Sequence, residues 1–170
     1  MKSFLEANAQ AIEWTGRWEY RLRSGQDVIG ILHVEKSLGT RALAETAHGR
    51  WLFLKKWFPV MKVSLRPVDS DVDLAVFTSK WKEKMDSLEF SYGLKYYWVP
   101  VNKWGTECVF ADVYGQLLVH FKRDSNPFIA FALPKGHSTG RVEIERSRVG
   151  MPDIPLLTLL GCFLMVSESI

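Results

Sequence analysis

Residues 152–166 read Pro152-Asp153-Ile154-Pro155-Leu156-Leu157-Thr158-Leu159-Leu160-Gly161-Cys162-Phe163-Leu164-Met165-Val166, with no charged side chain from Ile154 onward. Drawn as a helix, this segment puts Leu156, Leu157, Leu159, Leu160, Phe163, Leu164 and Val166 on every face. A helix that is apolar all round has to be enclosed by protein or lipid. Over 154–166 it would be about 20 Å long, short against a hydrocarbon core about 30 Å thick. A buried core helix is therefore expected, ahead of a membrane span or anchor. Asp153 is placed to cap its start, Pro155 suits its first turn, and Gly161 permits close approach by a neighbouring element. Thr158 can bond back to a helix carbonyl.

The enclosure is legible upstream. From Trp14 to Arg146 the chain is a succession of short runs rich in Trp, Tyr, Phe, Val and Leu, broken every eight to twelve residues by Gly, Pro, Asp or Ser, the texture of an all-β barrel or sandwich. Trp18–Arg23 turns at Ser24-Gly25-Gln26-Asp27 and returns as Val28–Leu32. Arg41–Thr46 turns at Ala47-His48-Gly49-Arg50 and returns as Trp51–Leu54, and Val109–Phe121 repeats the scheme around Tyr114-Gly115. Met61–Arg66, Leu88–Tyr92 and Arg141–Arg146 alternate apolar with polar, the sign of one wet face. Val72–Thr78, Lys95–Val99 and Phe128–Leu133 are further strand candidates.

About ten to twelve strands exceed what an open antiparallel sheet carries without curling, so closure into a barrel around the C-terminal helix is expected. Residues 1–13, rich in Ala, Glu, Gln and Leu, with Phe4, Leu5, Ala9 and Ile12 near helical spacing, are read as a short N-terminal helix. The fold class is thus mainly β: one domain over 1–170, a closed antiparallel barrel with a central and a short leading helix.

This order of elements resembles the tubby-like superfamily, which includes tubby C-terminal domains, phospholipid scramblases and LURP-one-related proteins. The residues that carry the resemblance are Arg23-Ser24-Gly25-Gln26, Val113-Tyr114-Gly115-Gln116-Leu117-Leu118-Val119 and the ending Pro152–Leu164, within a span of 14–166. The resemblance implies a twelve-stranded barrel threaded by its terminal helix. Its functional implications are heterogeneous: phosphoinositide binding for tubby domains, and lipid translocation claimed for scramblases. The sequence shows neither a cysteine-rich segment nor a proline-rich N-terminal extension of the scramblase kind, so scrambling is not carried over.

Composition narrows the function classes. The chain has 170 residues, 47% of them apolar and 24% charged, and a net charge of +3. That surplus is too small to point to nucleic acid. Cys108 and Cys162 sit in apolar company, as buried free thiols do, and the chain is expected to be cytoplasmic. The opening residues lack the apolar stretch of a secretory signal.

Charge is most uneven between Thr46 and Val68. Arg50, Lys55, Lys56, Lys62 and Arg66 occur there without an acidic residue, interleaved with Trp51, Phe53, Trp57 and Phe58. Basic residues near a membrane attract anionic headgroups and Trp settles at the interface. Arg50, Lys55, Lys56, Trp57, Lys62 and Arg66 are accordingly the candidate lipid- or anion-binding residues. The ordinary alternative is solvated charges outside and aromatics in the core, because neighbours on a strand face opposite ways.

Asp69-Ser70-Asp71-Val72-Asp73 has the alternate acidic spacing of a calcium loop, but counting from Asp69 the sixth and twelfth positions hold Leu74 and Lys80 instead of Gly and Glu. His33, His48, His120 and His137 lack the spacing of a zinc site. Nucleophile elbows, phosphate loops and dinucleotide fingerprints are absent, and a carboxylate pair such as Glu107 and Asp112 could serve acid–base chemistry only if the two shared a cleft. No metal or cofactor is expected. The functional expectation is a non-enzymatic binding domain, docking reversibly on an anionic membrane surface or on a protein partner. A lipocalin-like small-molecule barrel and an enzyme without a recognisable motif stay open as alternatives.

Overall fold

The computed structural model describes residues 1–7, 11–35, 41–79, 85–124 and 137–167. Twelve strands follow one another: β1 (Ala11–Arg17), β2 (Glu19–Ser24), β3 (Asp27–Val34), β4 (Arg41–Thr46), β5 (Gly49–Lys56) and β6 (Met61–Pro67), then β7 (Ala75–Ser79), β8 (Asp86–Phe90), β9 (Lys95–Pro100), β10 (Glu107–Ala111), β11 (Leu117–Arg123) and β12 (His137–Ile144). Each pairs antiparallel with the next, and β12 pairs with β1, closing an up-and-down barrel. Among the described residues one α-helix, α1 (Ile154–Ser167), follows a 3-10 turn at Arg146–Arg148. The strand candidate Phe128–Leu133 lies outside the described residues.

Inside and outside alternate as a pleated wall requires. Ile12 and Trp14, Tyr20 and Leu22, Val63 and Leu65, and Val142 and Ile144 face the interior and are buried. Every residue of α1 is buried as well. The helix is the core on which the wall packs, as the uncharged segment demanded.

Two glycines make room for this packing. A Cβ at Gly161 of α1 would lie 2.1 Å from Cζ of Phe121 on β11, so the helix and the ring meet only because Gly161 has no side chain. At the seam, Trp14 is the register partner of Gly140, and a Cβ there would lie 2.2 Å from Cζ2 of the Trp14 ring. Trp14 Nε1 donates to Ser138 Oγ across the same seam at 3.4 Å.

The expected N-terminal helix over 1–13 is not borne out among the described residues. Ser3 and Glu6 make the reciprocal bonds of a capping box, Ser3 N–H to Glu6 Oε2 and Glu6 N–H to Ser3 Oγ, and the Ala7 N–H bonds the Ser3 carbonyl. Beyond this single turn, Ala11, Ile12 and Glu13 belong to β1. The period-two placement of Ile12 and Trp14 in the core, with β12 available to pair, outweighs the helix-forming composition. Phe4 is buried in the core beside His48.

Candidate functional site

Because the strands run up and down, their connections alternate between the two ends of the barrel. The start of α1 shares an end with residues 68–74, 91–94 and 112–116. Its last turn shares the other end with residues 57–60 and 101–106.

At the first end, Asp153 precedes α1 and its carboxylate accepts the hydroxyls of Tyr96 at 2.8 Å and Tyr92 at 3.2 Å. A negative charge there complements the positive pole of the helix. Burial, with the Asp153 charge and hydrogen bond behind it, pushes the Tyr92 hydroxyl up to about 12. The Tyr96 hydroxyl rises too, through burial first and its bond to Asp153 second.

The other end has the opposite sign. Arg123 donates from Nη1 to the Met165 carbonyl at 3.0 Å, and Lys55 donates from Nζ to Ser167 Oγ at 2.9 Å. Two cations from the wall thus meet the negative pole of α1.

The six residues singled out in the sequence divide three ways. Arg50 and Arg66 lie toward the α1 N-terminal end, each paired with a carboxylate: Arg50 Nε with Glu45 Oε1 at 2.8 Å, Arg66 Nη2 with Asp73 Oδ1 at 2.9 Å. Lys55 points inward with Phe53, is only 4% exposed, and holds its ammonium 4.0 Å from the Trp57 ring centroid. Two adjacent strand residues cannot both face out, and here Lys56 does.

Lys56, Trp57 and Lys62 come together at the α1 C-terminal end. Lys56 and Lys62 are exposed and directly opposite one another in the β5–β6 register. Like charges so placed repel, and among the described residues neither is paired with a carboxylate. Trp57 and Phe58, in the connection between them, are 59% and 90% exposed.

The second loop at this end lies outside the basic stretch Thr46–Val68. Asn102 builds it, donating from Nδ2 to Thr106 Oγ1 at 2.9 Å and accepting at Oδ1 the N–H groups of Trp104 and Thr106, both at 3.2 Å. Trp104 is left 76% exposed, with the Lys103 ammonium 5.5 Å from its ring centroid. The available signal was a Lys-Trp pair between turn formers, Asn102 and Gly105, where an aromatic has no strand to bury it.

Other motifs have structural work. In the acidic run, Asp73 is bound to Arg66 and the Ser70 hydroxyl accepts the Val72 N–H. No cluster of three His, Cys, Asp or Glu suited to a metal occurs among the described residues. Glu107 and Asp112 sit at opposite ends of the β10–β11 hairpin: Glu107 pairs with His120 at 2.7 Å, while Asp112 accepts the N–H groups of Tyr114 and Gln116. They share no cleft. Cys162 is fully buried, and burial pushes its thiol well above the usual range. No helix among the described residues is long and apolar enough to cross a membrane.

Compared with protein-family models, curated proteins and solved structures, the chain finds no match. Fold and site together define a class: a twelve-stranded up-and-down barrel filled by its own helix, with exposed lysines and aromatics gathered at the helix C-terminal end.

Proposed function

We propose that this protein is a non-enzymatic binding module that docks reversibly on anionic lipid headgroups through Lys56, Lys62 and their neighbours. The observation that carries the reading is the Lys56–Lys62 cross-strand pair. Two like charges held opposite one another without a carboxylate are relieved by an anion that bridges them, and each basic residue near an anionic surface contributes about 1 kcal/mol. Lys103 adds a third ammonium at the same end. The negatively charged cytoplasmic leaflet is the surface such an arrangement suits.

The filled interior weighs against a lipocalin-like carrier, because α1 occupies the space a ligand would need. Kinship with the tubby-like superfamily belongs to the same proposal. Its support is the order of antiparallel strands followed by an enclosed terminal helix, and fold alone does not assign a ligand. Sedimentation with phosphatidylcholine vesicles, with and without phosphatidylserine, tests the reading. Retention that needs the anionic lipid and falls with salt is expected. Equal retention on neutral vesicles, or none on either, overturns it.

A further inference from the structure

Exposed apolar side chains occur at both ends of the barrel, and charge separates the two. At the α1 N-terminal end, Val72 is 72% exposed but lies between Asp71 and Asp73, and Tyr114 is 86% exposed in the loop that Asp112 organises. Acidic side chains flank the exposed residues of that end. At the α1 C-terminal end, Trp57, Phe58, Val101 and Trp104 are exposed on two loops, and both tryptophans carry a lysine ammonium against the ring, Lys55 on Trp57 and Lys103 on Trp104.

Trp prefers the headgroup level of a bilayer, where its ring is half wet, and lysine beside it reaches lipid phosphates while its stem lies along apolar surface. Aromatic loops alone would suit a protein partner equally well. The exposed Lys56, Lys62 and Lys103 around them favour an anionic bilayer.

We infer that this protein stands on the membrane with the α1 C-terminal end down, inserting Trp57, Phe58 and Trp104 to the interface while Lys56, Lys62 and Lys103 meet the headgroups. The inference rests on the lipid-docking reading and adds to it the inserted loops and the orientation. Tryptophans on separate loops, four strands apart around the barrel, fix that orientation better than one loop would.

The test uses the full chain with an environment-sensitive fluorophore on a single introduced thiol, Val101→Cys at the lower end or Tyr114→Cys at the upper, and phosphatidylserine-containing vesicles with nitroxide-labelled acyl chains. Sedimentation of the same samples scores binding separately. Bound protein should show a blue-shifted, quenched probe at 101 and an unchanged probe at 114, and Phe58→Ala with Trp104→Ala should weaken binding at least tenfold. Bound protein whose probe at 114 responds, or whose probe at 101 does not, overturns the orientation and leaves lipid docking standing. Absence of vesicle binding overturns both.

Discussion

The Lys55 ammonium, carried on β5, reaches the Ser167 hydroxyl at the last turn of α1 across 2.9 Å, tying the wall of the barrel to the end of the helix it encloses. Arg123 does the same from β11 through the Met165 carbonyl. Replacing Lys55 with Met keeps most of the apolar stem and removes the charge at the helix C-terminus, which should cost about 1–2 kcal/mol. Arg123→Met should cost a similar amount. Because both act on one helix end, the double variant should depart from additivity, and urea unfolding of the three variants measures this.

Gly161→Ala is a second prediction. Alanine favours a helix interior over glycine by about 1 kcal/mol, but here its methyl meets the Phe121 ring. That ring is itself packed against Trp98 and Phe110, at centroid distances of 5.3 and 6.0 Å. Overpacking of about 1–3 kcal/mol should win, so thermal unfolding should occur at a lower temperature in Gly161→Ala. Phe121→Leu in the same background should recover part of the loss.

Much of this architecture is legible in the sequence because burial leaves periodic marks. The uncharged run 154–166 fixes the central helix to within one residue of its observed end at Ser167, and the turn residues Gly25, Gly49 and Gly115 fix three hairpins. β1 was concealed because Ala11, Ile12 and Glu13 satisfy either period, and only the availability of β12 decides between them. The candidate site was half legible. Charge clustering finds Lys56 and Lys62, but linear spacing cannot show that Arg50 and Arg66 are neutralised by Glu45 and Asp73, nor that Trp104, over forty residues on, returns to the same end.

Thr158 gives a third prediction. The sequence suggested a bond from its hydroxyl to a helix carbonyl, yet Oγ1 is buried without a partner among the described residues. A buried unsatisfied hydroxyl costs about 1–3 kcal/mol. Thr158→Val should therefore raise the unfolding midpoint, and a lowered midpoint would show that the hydroxyl is satisfied.

Alkaline pH should loosen the α1 N-terminal end. Tyr92 and Tyr96 titrate higher in the folded protein, Tyr92 near 12, than the ordinary tyrosine value of 10.0. The folded state then holds protons that the unfolded chain releases, so stability is intact below about pH 10 and declines as pH rises toward 12 and beyond. Tyr96 is the more buried and should dominate. Solvent screening reduces the share of Tyr92, which is 60% exposed. In Tyr96→Phe the decline should be shallower, as read from urea midpoints at pH 9, 10 and 11.

Vesicle flotation of the Lys56→Glu, Lys62→Glu double variant against the wild type tests the proposed activity most directly, because both side chains are exposed and their reversal leaves the core untouched. Circular dichroism of the same samples reports the fold. On phosphatidylserine-containing vesicles at low salt, the wild type should float and the variant should stay with the soluble fraction at unchanged circular dichroism. A folded variant that floats as the wild type does would contradict lipid docking through this face.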